Sequence, residues 1–167
     1  HAGMALATYA ADAPGWTKAN ADFLTGQPLA SNPDNQRDLR SYLEPIGGQL
    51  LEPLEVRFRD ATARDTVREA AANALADFAA NDPARLAGLA SEATAEQYRI
   101  IYPRLIAAQA EQRAAAEKSL LAITQQQPGA KVPESDRVQL GRRRAGAAIS
   151  LLRMGQREST LVVFRVQ

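Results

Sequence analysis

Ala63-Arg-Asp-Thr-Val-Arg-Glu-Ala-Ala-Ala-Asn-Ala-Leu-Ala-Asp-Phe-Ala-Ala80 decides the fold class. Val67, Ala71, Ala74, Leu75 and Phe78 recur at three- and four-residue intervals, the period of an α-helix, while Arg64, Arg68 and Asp77 fall off that stripe. The spacing predicts an amphipathic helix that Asn81-Asp82-Pro83 ends, with a short helix after it carrying Leu86 and Leu89.

The same grammar extends in both directions. Downstream, Thr94 and Gln97 have the capping-box spacing, in which each side chain satisfies an otherwise unpaired backbone N–H of the other. Tyr98, Ile101, Tyr102 and Leu105 then form the expected buried stripe, which Pro103 should kink or shorten. A helix over 111–124 presents Ala116, Leu120 and Ile123, and 125–133 reads as a polar linker. The last long helix, 134–154, aligns Val138, Gly141, Ala145, Ala148, Ile149 and Leu152 as its core face, with Gly155 as its stop.

Upstream, Leu50, Leu51, Leu54 and Phe58 mark one helix, and Leu39, Tyr42, Leu43 and Ile46 another that begins at Asn32-Pro33. Pro45 and Gly47-Gly48 predict a tight corner near 44–48 between two antiparallel helices. Residues 17–25 read as a short helix with Gly26 after it, and 2–11 as another ended by Pro14-Gly15, with Trp16 plugging the end of the stack.

Composition agrees with an all-α chain. Ala supplies 34 of 167 residues and Leu 18, whereas aromatics are 5%. There is no cysteine, and the one histidine is His1. Disulfides, thiolate nucleophiles, internal His–Asp relays and His-based zinc sites are therefore excluded. A formal net charge of +1 gives no global attraction to nucleic acid or acidic lipid. No apolar run reaches the ~20 residues that cross a bilayer, so the expectation is a cytoplasmic monomer with no membrane contact and no cofactor.

Helical pairs start near Pro33, Ala63, Ala95 and Glu134. That spacing, in the range of two-helix repeats, predicts one domain over 1–167 built as a right-handed stack of antiparallel helical pairs, with an irregular helical bundle as the second choice. The blocks Asp38-Leu-Arg-Ser-Tyr-Leu-Glu-Pro-Ile46, Ala70-Ala-Ala-Asn-Ala-Leu-Ala-Asp-Phe-Ala-Ala-Asn-Asp-Pro-Ala84 and Ala145-Gly-Ala-Ala-Ile-Ser-Leu-Leu-Arg-Met-Gly155 resemble the HEAT-like helical segment (an α-solenoid) of large bacterial multidomain proteins. Those proteins also carry a Ser/Thr kinase domain or a formylglycine-generating (sulfatase-modifying factor) domain. The resemblance covers most of the chain, including 98–105 and 4–16. It implies a noncatalytic scaffold that binds a protein partner or flanking domains of its own chain. This chain has no Gly-rich phosphate loop, no His-Arg-Asp, no Asp-Phe-Gly and no cysteine, so kinase or formylglycine chemistry would belong to other domains.

The alternative function is a nucleic-acid-binding helical array. From Lys131 onward there are eight basic and three acidic residues, against 12 and 16 in the first 130. Arg142, Arg143, Arg144, Arg153 and Arg157 are the candidate phosphate contacts. Three consecutive helical residues spread over ~200°, however, and cannot all face one phosphate backbone. Arg stems lying over apolar neighbours account for the cluster better. Glu92 and Glu96 flank the Thr94 cap and read as helix-dipole partners rather than an acid–base pair. Tyr98 and Tyr102 read as core with hydroxyls at the rim, and Lys118-Ser119 as neighbours pointing ~100° apart.

The chain closes on Leu161-Val-Val-Phe-Arg-Val166, its most β-branched apolar stretch. A solenoid end needs a polar cap. This stretch is not one, so the expectation is a segment of a longer chain whose further residues pack on Leu161, Val163 and Phe164.

Overall fold

In the computed structural model, residues 18–26, 33–129 and 131–157 are described. The readings for 2–11, Trp16, Asn32 and 161–166 lie outside them. The described residues form eight α-helices and one 3-10 turn, with no strand: α1 Lys18–Gly26, α2 Pro33–Leu43, the 3-10 turn Glu44–Ile46, α3 Gly47–Arg59, α4 Asp65–Phe78, α5 Pro83–Glu92, α6 Ala95–Ala107, α7 Ala110–Thr124 and α8 Glu134–Arg153. No helix among them is long and apolar enough to cross a membrane. The chain divides into two compact units, His1–Ala79 and Ala80–Gln167.

In the first unit α3 packs along α4, and α1 lies on α3. Leu43, Ile46, Leu50, Leu54, Phe58 and Leu75 are sealed from solvent. The many alanines of α4, among them Ala71, Ala72 and Ala74, are also buried and keep its core face thin. Polar contacts bind the edges. Arg40 Nε pairs with Asp77 Oδ2 at 2.7 Å, and Arg57 reaches Thr25 Oγ1 at 3.3 Å and the Asp22 carbonyl at 3.1 Å.

The corner falls where Pro45 and Gly47 place it, but α2 and α3 do not pack along each other as an antiparallel pair. Both turn to α4 instead. Gly47 accounts for part of this, because a Cβ there would stand 3.0 Å from the Phe78 ring, so the start of α3 is pressed against the end of α4. The same geometry corrects the α2 stripe. Leu43 and Ile46 are buried, but Tyr42 is 57% exposed.

In the second unit α5 is the central helix, packed on α6, α7 and α8, and α7 and α8 also pack on each other. Local signals place its helices well. Asp82 Oδ1 accepts from the Arg85 N–H at 3.0 Å, with Pro83 in the first turn of α5. Both capping-box bonds form at α6: Thr94 N–H to Gln97 Oε1 at 2.9 Å and Gln97 N–H to Thr94 Oγ1 at 3.4 Å. Pro103 does not shorten α6, which continues to Ala107 with the proline on its exposed side. α8 ends as Gly155 predicts. With φ +91 at Gly155, the Gln156 N–H reaches the Leu151 carbonyl at 2.9 Å and the Gly155 N–H the Leu152 carbonyl at 3.1 Å, the paired bonds of a Schellman motif.

The face of α8 differs from the expected one. Only Ala148 of the predicted stripe is buried; the core side is Ala147, Ala148, Ser150 and Leu151. Close approach explains the rotation. A Cβ at Gly146 would sit 2.2 Å from the Ser91 carbonyl oxygen, so α8 meets α5 through a position that only glycine allows, and Leu151 turns inward with it.

Candidate interaction surface

α8 carries apolar residues on two sides, and only one is covered. Val138 is 47%, Ile149 51% and Leu152 50% exposed, with Gly141 and Ala145 exposed between them. At 100° per residue these five fall within an arc of about 80°, on the side of the helix away from Ala147 and Leu151. The stripe that the sequence offers as core is thus an outward-facing apolar seam.

The arginines around that seam have separate surroundings. Arg143 Nε lies 3.1 Å from Glu92 Oε1, an ion pair linking α8 to the end of α5. Arg144 Nε donates to the Thr124 carbonyl at 2.9 Å. That bond satisfies an end-of-helix carbonyl of α7 and places a cation at the negative end of its dipole. Arg142 is exposed and has no carboxylate partner among the described residues. Arg157 is exposed just beyond the Schellman turn. Arg143 and Arg144 are therefore held by contacts within the fold, apart from Arg142.

Arg153 takes a different position. Its guanidinium carbon lies 5.3 Å from the Tyr98 ring centroid and 4.7 Å from that of Tyr102. The two rings stack with centroids 5.1 Å apart and planes 15° from parallel, as residues four apart on one helix allow. Tyr102 is buried, and the Tyr98 hydroxyl oxygen is buried without a hydrogen-bond partner among the described residues. Burial pushes the Tyr102 hydroxyl above the usual tyrosine range, neighbouring Tyr98 adds to this, and Arg153 opposes it. Arg153 thus lies within cation–π reach of both rings.

The remaining candidates have local roles. Glu92 pairs with Arg143 and Glu96 with Arg99 at 3.3 Å, so the two carboxylates face different arginines. The Ser119 hydroxyl donates to the Ala115 carbonyl at 3.0 Å, one turn back on its own helix. Gln156 Nε2 donates to Glu117 Oε2 at 3.0 Å, which ties the turn after α8 to α7.

Sequence reasoning missed the ion pair of Glu92 with Arg143 and the stacking of Arg153 on the tyrosines. Both join residues about 50 positions apart in the chain, a separation at which no local spacing rule operates. A signal for the double-faced α8 was present, since Ala147-Ala148-Ile149-Ser150-Leu151-Leu152 puts apolar side chains around most of the helix. Comparison with known proteins gives no match to a family model, a curated protein or a solved structure.

Proposed function

We propose that this chain is a noncatalytic protein-interaction module, a scaffold segment of a larger bacterial multidomain protein in the cytoplasm, and that the outward face of α8 is its contact surface. The observation that carries this reading is the alignment of Val138, Ile149 and Leu152, each about half exposed, on one side of a helix already anchored by its other side. Anchored helices with a second apolar face are common where another helix or domain docks. Flanking domains of the same chain and separate proteins both fit as the other party.

A HEAT-like right-handed stack would present such a face on its terminal pair. The central place of α5, touching α6, α7 and α8 together, favours the irregular bundle for the second unit. The nucleic-acid reading has less support, because Arg143 and Arg144 are engaged within the fold.

A photo-crosslinking residue placed at Ile149 in the cell of origin tests this function. It should yield adducts with protein, while the same probe at Gln139, on another exposed side of α8, should not. Adducts with nucleic acid at 149, or equal protein labelling at both positions, would refute the reading.

A further inference from the structure

Resting on that interaction reading, we infer that the outward face of α8 docks an acidic amphipathic helix, its apolar stripe on the seam and its carboxylates on Arg142 and Arg153. Three features select this occupant. The first is seam spacing: Val138, Gly141, Ala145, Ile149 and Leu152 follow a heptad-like rhythm of three- and four-residue steps, the pattern a second helix reads.

The second is relief along the seam. Gly141 and Ala145 are small and lie between the larger Val138 and Ile149, and nothing stands within 4 Å of where a Gly141 Cβ would be. That leaves a shallow saddle for a bulky side chain of the partner. The third is charge. Arg142 and Arg153 lie along one edge of the seam, eleven residues and so about 16 Å apart, and neither has a carboxylate partner among the described residues. Arg153 is already oriented by the Tyr98 and Tyr102 rings, which lowers the ordering cost of a new ion pair. Acidic side chains three turns apart on an incoming helix match both arginines, whereas a basic helix meets like charge at each.

The test uses the full chain and two synthetic helical peptides with the same leucine stripe, one flanked by glutamates and one by lysines, followed by fluorescence anisotropy. The Glu-flanked peptide should bind at least tenfold more tightly than the Lys-flanked one. The paired change Arg142→Glu with Arg153→Glu should invert that preference, and Ile149→Asp should abolish binding of both while leaving the helical circular dichroism unchanged. Equal affinity for the two peptides, or a preference that survives the double reversal, would overturn the acidic partner. Such a result together with protein adducts at Ile149 would leave the interaction reading standing and sink only the partner's chemistry. Binding that appears only when Phe164→Asp is introduced would overturn the proposal in favour of residues 161–166 as the occupant. Self-association that Ile149→Asp abolishes, without peptide binding, would overturn it in favour of a second copy.

Discussion

Gly146 and Gly141 lie five residues apart on α8 and should respond oppositely to one added methyl group. At Gly146 the new Cβ meets the Ser91 carbonyl oxygen at 2.2 Å, and backbone on α5 has to move. At Gly141 nothing lies within 4 Å. Glycine costs a helix interior ~0.5–1 kcal/mol relative to alanine, so Gly141→Ala should stabilise by about that amount. Gly146→Ala gains the same propensity but overpacks the crossing, which commonly costs ~1–3 kcal/mol. Urea melts of the two variants check this: the midpoint should rise for Gly141→Ala and fall for Gly146→Ala. At this scale the sequence is least informative. The helical stripe puts Gly141 on the core face and leaves Gly146 off it, and only the neighbour from α5 shows that Gly146 is the enclosed one.

Helices were the most legible feature because their signals are local. The α6 start follows from the side chains of Thr94 and Gln97 alone, and both reciprocal bonds form. Thr94→Ala removes the hydroxyl acceptor of the Gln97 N–H and should cost ~1 kcal/mol in a denaturant melt, the usual price of a lost cap. A cost near zero would mean that solvent satisfies the freed N–H. The choice of face was less legible. Leu105 and Ile101 are buried as their spacing predicts, but Tyr42 and all of the α8 stripe except Ala148 are not. Helical period identifies a stripe. When a helix has apolar residues on two sides, the partner helices decide which side is covered, and that information lies elsewhere in the chain.

At the scale of the molecule, the all-helical class was legible from the alanine and leucine content, and the pairing of helices was not. Repeat spacing predicts α6 against α7 as a principal pair, yet α5 packs more extensively on α7 and α8. The 125–133 linker has enough residues to carry α8 back to α5, and linker length alone does not specify where a helix returns. The outward seam of α8 was legible as a list of residues but read as core. Its outward placement depends on Gly146 meeting Ser91 and on Arg144 meeting Thr124.

Which side of α8 faces inward decides whether its seam is free to bind, and the neighbouring leucines at 151 and 152 report it directly. Leu151 is 1% exposed and Leu152 50% exposed. Denaturant melts of the two alanine variants are the decisive measurement. Leu151→Ala removes a fully buried side chain and should lower stability by ~2–5 kcal/mol, while Leu152→Ala should change it by less than ~1 kcal/mol, in the range of surface substitutions. The reverse order, with Leu152→Ala the costly change, would place the Val138–Ile149–Leu152 stripe in the core and remove the interaction surface.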